Sequence, residues 1–550
     1  MRWWPWLRSP RLWAFLTGWL PTLSLPRSSL WWLAYVALIP LLLLARSAPT
    51  PQEAAMRGWL WGGGFVLGMY YWLLPNLTVF LVAVAAVLGV LWLAWAVLAW
   101  WVLREPWTGP RLVLAITALP AAAVLVEWAT SWDKLGGPWA LLGTSQWSVP
   151  PVRALAALGG PWLIGAFIVL INVVILLAAT TAPRWRWYPI SAGVLAVVLM
   201  GGWAVAVPEP TGPGTLRVAL VQPGVVHDPV TRFDAGAALT RSLVAAGPVE
   251  PPLDLVVWGE SSVGFDLNAR PDLMARLTEL SGLTGAPLLV NVDARRPGAG
   301  GIYKTSILLD QTGQLSHYDK RRLVPFGEYI PMRRLFGWIG ALTEAAGEDR
   351  RRGHAAVLMP IETAGDRRIE IGPLISFESA FPDLSRDLAR RGADVLVFQI
   401  ATSTFQDSWG PWRNAATSAL RAAETGRPVV HSTLTGVTTA YDATGRRLGA
   451  VMGTSERGVE IINVPLASRD TPYVRYGDWL PAVAAGYLLG LAMAVTLWRT
   501  RPDRALSRAT RTPGPPLSAS HTPESSAQQE RNDLDPSRTQ YPERRSDRER

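Results

Sequence analysis

A series of apolar runs, separated by short loops that carry arginine, fills the first ~207 residues of the chain and fixes what it can become. The runs lie near 12–25, 29–45, 58–75, 77–103, 112–130, 162–180 and 189–207. Most are long enough for a bilayer core, which takes about 20 apolar residues per helix. No small-residue cleavage site follows the first run and more runs come directly after it, so it reads as a span and not as a signal peptide. Leu480 to Trp498 makes an eighth span after a stretch with the composition of a soluble protein. Arg2, Arg8 and Arg11 precede the first run, Arg46 and Arg57 flank a later loop, and Arg104, Arg111, Arg184 and Arg186 lie in others. Arg499, Arg501 and Arg504 follow the last. If every run crosses, all these arginines share one side, and the excess of positive charge makes that side cytoplasmic. The expected organisation is seven transmembrane helices over 1–207, an extracytoplasmic domain over 208–479, an eighth helix over 480–498, and a tail over 499–550. That tail, rich in Pro, Ser, Arg and Glu, has too few apolar residues to fold.

The charge balance supports a membrane and argues against nucleic acid. The net charge is +10, but the basic residues form no single stripe and many sit between the apolar runs. Only three of them are lysines: Lys134, Lys304 and Lys320. There is no cysteine, which excludes disulfides, thiolate metal sites and a thiol nucleophile. The histidines (His227, His317, His354, His431, His521) are scattered without metal-ligand spacing, and no glycine-rich phosphate loop precedes a helix. No metal and no cofactor are expected.

From Leu216 the pattern becomes one of short strands and helices. Strands are predicted at Leu216–Gln222, Leu253–Trp258, Pro287–Val292, Lys304–Leu309, Ile369–Ser376, Asp394–Ile400, Pro428–Thr433 and Val437–Asp442. Helical periodicity appears near 230–246, 270–283, 383–391 and 411–425. Such alternation suggests an α/β or α+β sandwich with covered sheets.

Three apolar runs end in groups that could react. Leu374-Ile375 breaks at Ser376-Phe377-Glu378, Val256-Val257-Trp258 runs into Gly259-Glu260-Ser261, and His317-Tyr318-Asp319 runs into Lys320. A strand end fixes a side chain while the following loop exposes it. Glu260, Lys320 and Ser376 together supply a base, an ammonium for an oxyanion and an attacking atom, which are the roles acyl transfer needs. Lys320 stands out because the chain otherwise uses arginine, which cannot lose its proton and replaces a point charge poorly. An ordinary buried ion pair between Glu260 and Lys320 is the competing reading.

Several motifs resemble those of the apolipoprotein N-acyltransferase family, bacterial membrane enzymes of the nitrilase (carbon–nitrogen hydrolase) superfamily. They are Val257-Trp258-Gly259-Glu260; Tyr318-Asp319-Lys320-Arg321-Arg322-Leu323-Val324-Pro325-Phe326-Gly327-Glu328-Tyr329; Glu378-Ser379-Ala380-Phe381-Pro382; and Arg421-Ala422-Ala423-Glu424-Thr425-Gly426-Arg427-Pro428. In the membrane part, Glu127-Trp128 and Gly137-Pro138-Trp139-Ala140-Leu141-Leu142-Gly143 also match. The resemblance implies a multi-span helical membrane domain carrying an α-β-β-α nitrilase-like sandwich outside the cytoplasmic membrane. It implies transfer of a fatty acyl chain from a phospholipid to the N-terminal amine of a diacylglyceryl-cysteine lipoprotein. By matching positions, Glu260 would be the base, Lys320 the stabiliser of the tetrahedral intermediate, and Ser376 would hold the nucleophile's place, with Glu328 and Glu378 as further acidic groups; Phe377, beside Ser376, and Trp338, in the apolar patch after the lysine motif, are further binding candidates.

Departures surround one site. The family has cysteine where this chain has Ser376; Asn-Asp-Ala-Trp-Phe has become Thr402-Ser403-Thr404-Phe405-Gln406; and Lys304 stands where asparagine is usual. Serine either works here with Glu260 and Lys320 or leaves a domain that only binds lipid or lipoprotein, and a membrane-bound amidase shares the same acyl-enzyme step. Two further features are open between function and packing. Glu127 lies in the fifth run, where a carboxylate is costly unless it is hydrated at the headgroups. Met332 to Ala341, with Leu335, Phe336, Trp338 and Ile339, could lie in the bilayer surface or pack on a span.

Overall fold

The computed structural model describes residues 9–28, 30–296, 300–338 and 348–499. The tail expected beyond 499 and Ile339 to Ala341 of the apolar patch lie outside them. One compact unit extends to Leu491 and takes in both the apolar helices and the sandwich; a second begins at Ala492, within the last helix.

Among the described residues five helical stretches are long and apolar enough to cross a membrane: Phe80–Val102, Gly109–Thr130, Leu155–Thr180, Pro183–Ala206 and Trp479–Leu497. The run near 58–75 falls mainly in Pro51–Tyr70, a 20-residue helix that begins with Glu53 and Arg57 on one turn and is mostly buried. The first two runs are broken. Pro10–Thr17 passes into a 3-10 turn at Leu20–Ser24, with Pro21 at its start, and Trp31–Tyr35 is a 3-10 turn before the short helix Ile39–Arg46. Proline lacks the N–H that a continuing helix needs, which accounts for the first break.

The middle of the chain forms two six-stranded sheets. Their strands are β1 (Thr215–Gln222), β2 (Leu255–Trp258), β3 (Leu288–Arg296), β4 (Gly301–Asp310), β5 (Gly313–Asp319), β6 (Met359–Glu362), β7 (Arg368–Ile375), β8 (Val395–Ile400), β9 (Val429–Thr433), β10 (Thr438–Tyr441), β11 (Arg447–Met452) and β12 (Gly458–Pro465). The sheet orders are β12-β1-β2-β3-β4-β5 and β11-β10-β9-β8-β7-β6. Alternation along the strands separates two cores, because successive side chains point to opposite faces. Ala219, Val221, Val256, Trp258 and Val290 pack with Phe233, Leu273, Leu277 and Leu280 of the helices Pro229–Ser242 and Pro271–Thr284. Val218, Leu220, Leu255, Val257 and Leu289 turn the other way, into the core shared with Leu374, Val397, Val430 and the helices Pro382–Arg390 and Gly410–Thr425. The layering is α-β-β-α, as expected.

Within each sheet the central strands are parallel: β1 with β2 and β2 with β3, β7 with β8 and β8 with β9. Their carboxyl ends meet across the sandwich. Gln399 Nε2 donates to Trp258 O (2.8 Å), and Glu260 N donates to Ile400 O (3.2 Å). Gly259 makes this approach possible, because a Cβ there would run into the Thr433–Leu434 backbone. Carboxyl ends of parallel strands are where open α/β sheets bind ligands.

Candidate active site

The strand ends bring Glu260, Lys320 and Glu328 into one cluster. Glu260 follows β2 and is 2 % exposed; Lys320 follows β5 and is fully buried. Lys320 Nζ donates to Glu328 Oε1 at 2.7 Å and lies 3.5 Å from Glu260 Oε1. The second oxygen of Glu260 accepts from Ala401 N (3.0 Å), and that of Glu328 from Val324 N (2.9 Å). Burial alone would raise the Glu328 carboxyl, yet Lys320 and Lys304 outweigh it and hold Glu328 down at about 2.

Ser376 sits at the junction of β7 with a 3-10 turn, Ser376–Ala380, and its φ is +52°. That left-handed conformation is costly for a residue with a Cβ and persists only where the surroundings impose it. Glu378 imposes it. Its carboxylate accepts from Ile375 N (3.0 Å), just before Ser376, and from Arg321 N (2.7 Å) and Arg322 N (3.0 Å), just after Lys320. Tyr318 Oη donates to the same group at 2.8 Å. One buried carboxylate therefore joins the Ser376 turn to the Lys320 strand end. Burial pushes the Glu378 carboxyl above the ordinary range, against the backbone N–H groups of Ile375 and Arg322. At the other end of the turn, Arg421 of the Arg421–Pro428 motif donates to Ala380 O and pairs with Glu424. Ser376 is partly exposed, and among the described residues no hydrogen bond reaches its Oγ.

Of the aromatic candidates, Phe377 follows Ser376 in the turn and Trp338 lies in the apolar patch beyond the Tyr318–Tyr329 motif. Phe377 is 5 % exposed and stacks on Trp139 (6.3 Å between centroids) and edge-on to Phe381 (4.8 Å). Trp139 belongs to the 137–143 loop of the membrane part. Gly137 in that loop has φ +79° and rests on the rings of Phe377 and Phe381, where a Cβ would come within 2.9 Å of Phe377. Glu127 holds the loop: it is 2 % exposed, and its Oε1 accepts from Leu142 N at 2.7 Å. It is thus enclosed by protein and not hydrated at the headgroups. Trp338 is 54 % exposed and meets Phe80, at the start of the Phe80–Val102 stretch, at 5.6 Å. Met332 and Leu335 beside it are also exposed.

Two residues at the cluster, Asp293 and Arg350, are absent from the sequence reading, and a third, Lys304, enters it only as a departure from the family's usual asparagine. Lys304, in β4, donates to Glu260 Oε1 at 2.6 Å and lies 3.2 Å from Glu328 and 3.6 Å from Asp293. Asp293 in turn pairs with Arg350 (3.1 Å). Burial works against the Lys304 charge, but Glu260, Asp293 and Glu328 hold the ammonium above its ordinary range. The rarity of lysine in this chain is a signal for Lys304; nothing local marks Asp293 or Arg350. Among the described residues no group of three or more His, Asp or Glu is arranged to hold a metal ion.

Comparison with known proteins adds the following. Residues 17–174 match the family model for the apolipoprotein N-acyltransferase N-terminal domain, and residues 217–471 match that for carbon-nitrogen hydrolase. The apolipoprotein N-acyltransferase of Geobacter metallireducens is 30% identical over 519 residues, covering 88% of this chain and 95% of the relative. That of Azotobacter vinelandii is 31% identical over 548 residues, covering 94% and 100%. Among solved structures, Saccharomyces cerevisiae Nit3, a member of branch 10 of the nitrilase superfamily, is 18% identical, with a TM-score of 0.36 over 49% of this chain and 95% of that one.

Proposed function

The chain belongs to the apolipoprotein N-acyltransferase family, and from that premise we propose that it transfers a fatty acyl chain from a phospholipid to the N-terminal amine of a diacylglyceryl-cysteine lipoprotein through an acyl ester on Ser376. The observation that carries the proposal is the Glu378 carboxylate, which fastens the strained Ser376 turn to the strand end bearing Lys320. In the first half-reaction Ser376 Oγ attacks the ester carbonyl carbon while its proton passes to Glu260. Lys320 holds the oxyanion, where a preplaced cation in a buried site acts most strongly. Collapse breaks the ester bond to glycerol; that oxygen takes the proton from Glu260 and leaves as lysophospholipid. In the second, the amine attacks the acyl ester and gives its proton to Glu260, and Ser376 Oγ takes it back as the amide forms.

The membrane part is read as eight crossings with residues 208–479 on the extracytoplasmic side of the cytoplasmic membrane. The arginine distribution supports that orientation. The exposed Met332, Leu335 and Trp338, beside Phe80, support entry of the donor chain from the bilayer surface.

The test is to incubate the purified full chain with labelled phospholipid and look for a covalent adduct. An adduct that resists neutral hydroxylamine better than a thioester, and that Ser376→Ala lacks, is expected. Ser376→Cys should form its adduct faster, by on the order of tenfold, because a thiol ionises near pH 8.5 and a hydroxyl does not. No adduct on a folded, lipid-bound protein would overturn the reading.

A further inference from the structure

Two of the chain's three lysines stand in the site. Glu260, Lys304, Glu328 and Lys320 alternate in sign around a closed ring whose successive N···O separations are 2.6, 3.2, 2.7 and 3.5 Å. The nearer cation to Glu260 is Lys304, not Lys320. Asp293 and Arg350 outside the ring neutralise each other.

The fourth member changes the charge count of the reaction. With Lys320 alone, two carboxylates share one ammonium and the cluster carries one excess negative charge. As the nucleophile's proton moves to Glu260, that excess remains, and the new oxyanion forms facing an ionised Glu328. With Lys304 present the ring is neutral before the step, and ring and oxyanion together are neutral after it, the negative charge having moved from Glu260 to the carbonyl oxygen. A thiol tolerates the first situation, because it can ionise before it attacks. A hydroxyl gives up its proton only as the C–O bond forms, so its full charge arrives on the oxyanion at once.

We propose that Lys304 is a positioning residue coupled to Ser376: it fixes Glu260 and neutralises Glu328, which leaves Lys320 to the oxyanion and lets a hydroxyl serve where a thiol would be expected. This rests on the reading of Ser376 as the acylated group. Lys304 acts through the two glutamates it contacts.

The experiment is a double-mutant cycle on the full-length protein in detergent, with adduct formation from a fluorescent phospholipid as the readout. Lys304→Asn is expected to slow acylation about 100-fold with serine at 376, but only about tenfold or less in the Ser376→Cys background, a coupling of the size contacting groups show. The acidic limb of the serine enzyme's rate should move to higher pH in Lys304→Asn, because Glu328 loses one of the two ammonium groups that hold its carboxyl down. Melting temperatures of all four proteins separate misfolding from chemistry, and Lys304→Arg, which keeps the charge, should recover part of the loss. Equal losses in both backgrounds, with an unmoved limb, would overturn the coupling while leaving Ser376 as the acylated residue. No adduct in the serine protein would overturn both.

Discussion

Glu378 shows how much of the site depends on one side chain. Its two oxygens accept from three backbone N–H groups and from Tyr318 Oη, and it is fully buried. Glu378→Gln keeps the size but turns an NH2 group towards N–H donors. A buried donor left without an acceptor costs about 1–3 kcal/mol, and charged partners raise that. The variant should melt at lower temperature and form its phospholipid adduct on the order of 100-fold more slowly, because the turn bearing Ser376 loses its anchor to Lys320. An unchanged adduct rate would show that the turn holds itself. Glu260, Lys320 and Ser376 were legible in the sequence because each stands at the end of a short run that reads as a strand, whereas Glu328 and Glu378 came only from the motifs shared with the family. Lys304 lies inside β4 instead, and reaches the site through its register opposite Asp293 on β3. Pairing between strands is a long-range fact, and a rule that looks at strand ends passes over it.

At the scale of elements, the eight strands visible as apolar runs fill the interior of both sheets, and the four others, β5, β6, β11 and β12, are their four edges. The difference is physical. Interior parallel strands are covered on both faces and read as near-continuous apolar runs. An edge such as β11 is largely exposed and carries too little apolar sequence to stand out, and of β5 only its end, His317-Tyr318-Asp319, is marked in the sequence, by Lys320 after it. Interior burial has a further consequence at β9. His431 is 1 % exposed; its Nδ1 meets Ser418 Oγ at 2.8 Å and its Nε2 has no partner among the described residues. Burial depresses its pKa to about 3. The unfolded chain, with an ordinary imidazole near 6.5, therefore binds more protons below that pH, and stability falls as pH drops from 6.5 towards 3. At pH 5 the loss from this group is about 2 kcal/mol. His431→Gln should remove that part of the slope, so melting curves of variant and wild type should converge as the pH is lowered. Parallel curves would mean that the buried ring does not titrate on unfolding.

For the whole molecule the catalytic sandwich is bound to the membrane helices by its own outer layer. Every residue of Gly410–Thr425 except Trp412 is buried, so this helix is covered by the second sheet on one side and by the membrane part on the other. Arg413 donates to Met69 O at 2.5 Å, Tyr71 Oη accepts from Trp409 N at 2.9 Å, and Arg153 Nε donates to Thr444 O at 2.8 Å. Asp478 adds a second junction, accepting from Trp162 Nε1 and pairing with Arg386 of the sandwich, both at 2.9 Å. Arg413 is the instructive case. It is 2 % exposed, its Nη2 lacks a partner, and no carboxylate pairs with it among the described residues. Burial lowers its pKa to about 10, although Tyr70 and Tyr71 oppose the shift. A buried charge without a counterion loses more by desolvation than one carbonyl returns, and apolar residues of similar volume often replace such groups at no cost. Arg413→Met is accordingly expected to match or exceed the wild-type melting temperature, while Arg413→Ala, which leaves a cavity, should lose about 2–4 kcal/mol. If the methionine variant instead melts as low as the alanine one, the hydrogen bond to Met69 O, and not the packing of the helix, is what fastens the sandwich to the membrane part. Adduct formation measured beside the melts then decides whether that fastening also sets the geometry at Ser376, since the 137–143 loop touching Phe377 belongs to the same membrane part.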